Sequence, residues 1–127
     1  MNEETTLLVV EDDRSARRFI VRTLTANGFR VIEAPGAEEC LEILRTEAGA
    51  VDLVITDLVM PRMGGLDLAA ELGRRCPQLK ILYISGYTAS IAIAGIAQRL
   101  PHMVLLKPFT EEMLLDRIRR SCSRGEE

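Results

Sequence analysis

The sequence places reactive polar side chains directly after short apolar runs. They comprise carboxylic acids, a hydroxyl and an ammonium, at Glu11, Asp12, Asp13, Asp57, Ser85 and Lys107. Crowded carboxylates raise one another's pKa unless a cation joins them, and Mg²⁺ prefers oxygen ligands of this kind. Phosphoryl transfer uses the same parts, because metal and ammonium charges neutralise the phosphate oxygens while a carboxylate such as Asp57 attacks phosphorus. If the fold brings these residues together, their types indicate Mg²⁺-assisted phosphoryl transfer.

Two kinds of segment alternate along the chain. Short runs rich in Val, Ile and Leu are typical of strands buried in a parallel sheet, and they occur at 7–10, 29–32, 51–55, 79–84 and 103–106. Helical spacing of apolar residues follows each run, as in Ala16, Phe19, Ile20 and Leu24. This alternation predicts an α/β domain with a doubly wound parallel sheet and helices on both faces. Active groups gather at the carboxyl ends of strands in such sheets, so the polar residues above are expected to meet there.

The composition bounds the function classes. A length of 127 residues predicts one domain over 1–127, with a core at about 5–123. The net charge of −3 and a pI of about 5.3 argue against direct binding of nucleic acid. No apolar run approaches the roughly 20 residues of a membrane helix, so we expect no membrane insertion. Three widely spaced cysteines predict packing roles in a cytoplasmic protein.

Four stretches together resemble the receiver domain of two-component response regulators across nearly the whole chain. They are Val9-Val10-Glu11-Asp12-Asp13, Asp57-Leu58-Val59-Met60-Pro61 with Gly65, Ser85-Gly86, and Lys107-Pro108-Phe109. Each stretch alone is weak evidence for the family. All four in order, at the ends of predicted strands one, three, four and five, make a specific match to it. The resemblance implies a flavodoxin-like (βα)5 fold with strand order 2-1-3-4-5.

The resemblance also implies roles at the site. Asp57 would be the phosphoacceptor, taking its phosphoryl group from the phosphohistidine of a histidine kinase or histidine phosphotransfer domain. Mg²⁺, with Mn²⁺ as a substitute, would bind Asp12 directly and Glu11 mainly through water, with Asp57 and the backbone carbonyl of Val59 as further ligands. Thr56 precedes Asp57 and is expected to face the other way.

The remaining implied roles concern strands four and five. Ser85 would hydrogen-bond a phosphoryl oxygen, and Lys107 would pair with Asp57 or its phosphate. The Lys107–Pro108 bond is expected to be cis. His102, the only histidine, is not expected to be a phosphodonor.

The output surface is expected to comprise the fourth helix, fifth strand and fifth helix, where a homodimer or output partner would bind. The apolar segment 88–99 is either buried or exposed to such a partner. Val104 stands where many receivers carry an aromatic residue, and Gly64 where many carry Asp, which predicts a looser loop. The Val59 side chain has no polar group that could orient an attacking water, which predicts a long-lived aspartyl phosphate.

Other classes are less compatible with these residues. An interaction or dimerisation module that works without phosphorylation stays open, although such modules usually lack site residues that are all present here. A phosphatase would need a general acid where Val59 stands, and a flavin carrier would meet repulsion from the acids after strand one. We expect a domain that assists its own phosphorylation and dephosphorylation rather than a turnover enzyme.

Two further expectations concern context and surface. Ser85-Gly86-Tyr87-Thr88 and Lys107-Pro108-Phe109-Thr110 resemble receivers at the C-terminus of hybrid sensor histidine kinases, so the chain is either a stand-alone regulator or part of such a kinase. Arg17, Arg18 and Arg22 are predicted on the solvated face of helix one, with docking to a histidine-bearing helix pair as the alternative.

Overall fold

The computed structural model describes residues 5–86 and 103–122, so the predicted segment 88–99 and His102 lie outside the described residues. The strands are β1 (Thr6–Val10), β2 (Arg30–Ala34), β3 (Leu53–Asp57), β4 (Lys80–Ser85) and β5 (Val104–Leu106). The α-helices within these ranges are α1 (Arg14–Ala26), α2 (Ala37–Glu47), α3 (Gly65–Arg75) and the C-terminal helix (Glu111–Cys122), and a 3-10 turn (Ala48–Ala50) follows α2.

The five strands form one parallel sheet in the order β2-β1-β3-β4-β5. This confirms the predicted flavodoxin-like fold. Strand ends differ from the prediction by one or two residues. At β3, predicted over 51–55, the strand begins at Leu53 and includes Asp57. Asp52 lies directly before β3, where its side chain accepts a hydrogen bond from the Thr6 N–H and its own N–H donates to the Thr6 carbonyl, both at 2.8 Å.

Alternate residues of the strands build a hydrophobic layer on each face of the sheet. One layer joins strand residues such as Val54 and Tyr83 to α2 and α3, through Cys40, Leu44, Leu68 and Leu72. The other joins Ile55 and its neighbours to α1 and the C-terminal helix, through Ile20, Leu24, Leu114 and Ile118. Full burial of one such aliphatic side chain contributes about 1.5–3 kcal/mol.

N-terminal caps mark where two helices near the site begin. The Asp13 carboxylate accepts a hydrogen bond from the Ala16 N–H at 2.8 Å and caps α1. Thr110 caps the C-terminal helix by accepting from the Met113 N–H at 3.1 Å. Phe19, which helical spacing groups with Ile20 and Leu24, is 41% exposed and contacts Phe109, with ring centroids 6.1 Å apart.

A search of the described helices finds none with the length and apolar character that crossing a membrane requires.

Candidate functional site

Three carboxylates from two strand ends converge at the carboxyl edge of the sheet. Glu11 and Asp12 follow β1, and Asp57 ends β3. One ligand oxygen from each lies within 4.8 Å of the others. Glu11 and Asp57 are only 2% and 7% exposed, whereas Asp12 is exposed. The parallel pairing of β1 with β3 produces this convergence, because it places the carboxyl ends of two strands that are distant in sequence side by side.

The Glu11 carboxylate has one engaged and one open oxygen. Oε2 accepts a hydrogen bond from the Asp13 N–H at 3.0 Å. Oε1 is buried and has no hydrogen-bond partner among the described residues, and the Lys107 ammonium is 3.9 Å from it. Burial, reinforced by the neighbouring Asp57, raises the pKa of Glu11 to about 7, against the opposing effects of the Asp13 N–H and Lys107.

This open oxygen lets us test whether the residues fit the implied Mg²⁺. A buried carboxylate oxygen without a donor is costly unless a cation reaches it. Glu11, Asp12 and Asp57 offer only oxygen atoms, which are the ligands that Mg²⁺ prefers. When all three are ionised, their charge of −3 and the +1 of Lys107 sum to −2, which a divalent cation balances. The residues therefore fit the ion.

Lys107 makes the closest charged contact with Asp57. Its Nζ lies 3.0 Å from Asp57 Oδ2, while Asp57 Oδ1 accepts a hydrogen bond from the Val59 N–H at 3.2 Å. Partial burial lowers the pKa of Lys107, but the hydrogen bond to Asp57 and the charges of Asp57, Glu11 and Asp13 outweigh it and raise that pKa. The ammonium thus stays charged, and it orients one Asp57 oxygen. The Lys107–Pro108 bond is cis, as the resemblance implies.

Ser85 ends β4 at the same edge of the sheet. The preceding residue, Ile84, is the register partner of Asp57. The backbone carbonyl of Ser85 accepts a hydrogen bond from the Lys107 N–H at 2.8 Å. The buried Ser85 hydroxyl donates to the Gly86 carbonyl at 3.1 Å. Backbone pairing thus connects Ser85 to Lys107 and places it one residue beyond the partner of Asp57, while its hydroxyl donates within its own strand end.

Two glycines, Gly64 and Gly65, lie close to the backbone at the end of β3 and in the loop that follows it. A Cβ on Gly65 would lie 2.5 Å from the Asp57 carbonyl oxygen, and one on Gly64 would lie 2.8 Å from the Leu58 carbonyl oxygen. The Gly65 N–H donates to that Leu58 oxygen at 2.9 Å. The absence of a Cβ at Gly64 thus allows a close approach of the Leu58 carbonyl oxygen, and the looser loop stays a prediction. Val59 in this loop is 77% exposed.

Thr56 and Val104 lie on the opposite face of the sheet from Asp57. The buried Thr56 hydroxyl donates to the Asp57 backbone carbonyl at 2.9 Å, so Thr56 is outside the carboxylate cluster, as predicted. Val104 is buried and is the register partner of Tyr83 on β4, which is also buried. An aromatic side chain thus occupies the strand next to the one where the family pattern carries it.

The contacts of Arg17 with Glu11 and Glu33 could not be predicted from the sequence. The prediction put it on the solvated face of α1, but its side chain is 19% exposed and turns towards the sheet. Nη1 donates to the Glu11 carbonyl at 2.8 Å, and Nε donates to Glu33 Oε1 at 3.0 Å. The alternation of β2 could have placed Glu33 on a face, but only packing shows that Arg17 joins it to Glu11.

Comparison with known proteins identifies the class that this fold and this site define. The chain matches the response regulator receiver domain family over residues 7–119 and belongs to it. Sensor kinase CckA of Brucella abortus is 37% identical over 109 residues, which make up 86% of this chain and 12% of the kinase. Response regulator receiver protein CpdR of the same species is 33% identical over 114 residues, which make up 90% of this chain and 93% of CpdR.

A solved structure supports the same conclusion. The receiver domain from hybrid histidine kinase CckA has a TM-score of 0.76 and 27% identity to this chain, with 93% of this chain and 99% of that chain covered. The chain is thus similar both to a receiver of about its own length and to a receiver within a much larger kinase.

Proposed function

We propose that this receiver domain accepts a phosphoryl group on Asp57 from a phosphohistidine, with Mg²⁺ bound by the neighbouring acids. The observation that carries the proposal is the geometry around Asp57, whose carboxylate lies 3.0 Å from Lys107 and within the 4.8 Å cluster with Glu11 and Asp12. In the transfer, an Asp57 oxygen forms a bond to phosphorus as the bond from phosphorus to the histidine nitrogen breaks. That nitrogen keeps the electron pair.

The residues of the chain have separable roles in this proposal. Glu11, Asp12, Asp57 and the Val59 carbonyl would hold Mg²⁺, or Mn²⁺ in its place. When bound, the ion neutralises charge on the phosphoryl oxygens. Lys107 holds Asp57 Oδ2 before transfer and donates to a phosphoryl oxygen afterwards. Ser85 would exchange its hydrogen bond with the Gly86 carbonyl for one with the phosphoryl group.

The partner and output follow from the same chemistry. The donor would be a histidine kinase or histidine phosphotransfer domain, which the similarity to sensor kinase CckA supports. Phosphorylation would shift the population between two conformations of the surface that includes β5 and the C-terminal helix, where an output partner or second copy would bind. The phosphorylated domain is itself the signalling product, so we expect the domain to assist its own phosphorylation and dephosphorylation rather than to act as a turnover enzyme.

The test is intact-mass spectrometry after incubation with acetyl phosphate and Mg²⁺. We expect one phosphoryl adduct on the wild type, none on Asp57→Asn, and none when Mg²⁺ is chelated. Asp67→Asn is the matched control, since Asp67 is an exposed acid on α3 outside the cluster, and it is expected to form the adduct. An adduct that persists on Asp57→Asn would contradict the assignment of Asp57.

The second candidate is an interaction or dimerisation module that works without phosphorylation. Val104 favours it, because the aromatic residue through which many receivers couple phosphorylation to output is missing from β5. The absence of an adduct on folded wild type, from acetyl phosphate and from histidine-kinase donors alike, would favour this candidate.

A further inference from the structure

The Arg17 side chain connects α1 to two strands at the edge that carries the carboxylates. Its Nη1 donates to the Glu11 backbone carbonyl at 2.8 Å. Its Nε donates to Glu33 Oε1, on β2, at 3.0 Å. At 19% exposure, the side chain is held far more closely than a solvated surface arginine.

The Glu11 carbonyl that Arg17 contacts lies between the two acidic residues Glu11 and Asp12. It belongs to the peptide unit that joins Glu11 to Asp12, and a peptide unit is planar. Fixing its oxygen therefore constrains where both acidic side chains leave the backbone. On the other side of Glu11, its N–H donates to the Ala34 carbonyl at 3.1 Å. The sheet and Arg17 thus hold the two backbone polar groups of Glu11.

We infer that Arg17 is a positioning residue for the metal-ligand pair Glu11 and Asp12, and that Glu33 orients the Arg17 guanidinium. The inference rests on the proposed function, because it takes these acids to hold Mg²⁺. Groups that hold metal ligands from outside the coordination shell typically affect metal affinity by about 10–100-fold. The planar fork of arginine serves two acceptors in different directions, which a single lysine ammonium does not reproduce.

The chain provides a matched control for Arg17. Arg45 also pairs with a glutamate, since its Nη1 lies 2.8 Å from Glu42 Oε2. Both partners are on α2, and their side chains are well exposed. Arg45→Ala therefore removes the same residue type and one ion pair without touching the loop after β1.

The experiment titrates Mg²⁺ alone into the full chain by isothermal titration calorimetry. Arg17→Ala is expected to raise the Kd for Mg²⁺ by about 10–100-fold. Arg17→Lys and Glu33→Gln are expected to raise it less, and Arg45→Ala is expected to match the wild type. Unchanged Mg²⁺ affinity in folded Arg17→Ala overturns the inference. If Arg17→Ala does not fold, Arg17→Lys and Glu33→Gln decide, and wild-type affinity in both overturns it.

A kinetic readout separates positioning from a purely structural role. The phosphorylation rate with acetyl phosphate is measured against Mg²⁺ concentration. For Arg17→Ala we expect half-saturation at a higher Mg²⁺ concentration and a rate near that of wild type at saturation, because Asp57 and Lys107 are intact. A lower saturated rate with unchanged half-saturation overturns the inference. Failure of the wild type to bind Mg²⁺ overturns the proposed function as well, so the two failures are distinguishable.

Discussion

Lys107 Nζ lies 3.0 Å from Asp57 Oδ2, although 50 residues separate the two in sequence. The sheet makes this contact possible, because β4 pairs with β3 on one side and β5 on the other. The same ammonium lies 3.9 Å from Glu11 Oε1. One cation thus pairs with carboxylates at the ends of two different strands.

Removing the Lys107 charge is expected to slow phosphorylation of Asp57. Lys107→Met retains a long apolar stem but removes the ammonium that would stabilise the transferring phosphoryl oxygens. Loss of one such group costs about 10²–10³-fold in rate in comparable sites. The rate of adduct formation with acetyl phosphate at saturating Mg²⁺ measures the effect. Lys80→Met, a change of the same type on β4 at its other end, is the control. Equal rates for Lys107→Met and wild type would contradict the proposed role.

The buried Glu11 carboxyl is expected to make metal-free stability depend on pH. Its pKa rises from 4.5 to about 7 in the folded protein. Between these values the folded state binds more protons than the unfolded state, so the free energy of unfolding falls as pH rises. Urea denaturation in chelator across pH 4.5–7 measures this decline. Glu11→Gln, which is neutral at every pH, is expected to decline less. The same slope in both proteins would show that Glu11 is not the group responsible.

Adding a polar group at position 59 is expected to shorten the life of the aspartyl phosphate. Val59 is two residues from Asp57 and is 77% exposed, so its apolar side chain offers nothing to orient an attacking water. Val59→Asn is expected to speed hydrolysis severalfold, measured as loss of the phosphoryl adduct after the phosphodonor is removed. Val59→Ala reduces bulk without adding polarity and controls for access. If Val59→Asn and Val59→Ala hydrolyse equally, orientation by the amide is excluded.

A methyl group at Gly65 is expected to destabilise the fold. The added Cβ would lie 2.5 Å from the Asp57 carbonyl oxygen, and backbone there has to shift. We expect Gly65→Ala to lower the free energy of unfolding by about 1–3 kcal/mol, as overpacking does. Gly73→Ala is the matched control: it lies in α3 with nothing within 4 Å of the added Cβ. It is expected to stabilise by about 0.5–1 kcal/mol. Urea denaturation that shows equal changes would contradict the crowding at Gly65.

Local patterns in the sequence were enough to predict the strands and those α-helices that the described residues contain, although the strand ends differ by one or two residues. Asp13 and Thr110 are residue types that favour helix N-caps, and each accepts the hydrogen bond that this role requires. Such features depend on neighbours within a few residues, so spacing along the chain contains the information. The strand order did not follow from spacing, and it was available only through the resemblance to receiver domains.

The gathering of Glu11, Asp57, Ser85 and Lys107 at one edge followed from a general property of parallel sheets and needed no coordinates. Other contacts at the same edge depend on how distant backbone segments approach. Arg17 turns from solvent to the Glu11 carbonyl because β2 brings Glu33 beside it. The Leu58 carbonyl oxygen lies 2.8 Å from where a Cβ on Gly64 would lie, a close approach that the spacing of residues along the chain does not reveal. Residue type and period determine which face or end a side chain occupies, whereas side-chain direction and backbone clearance are decided only when the elements pack together.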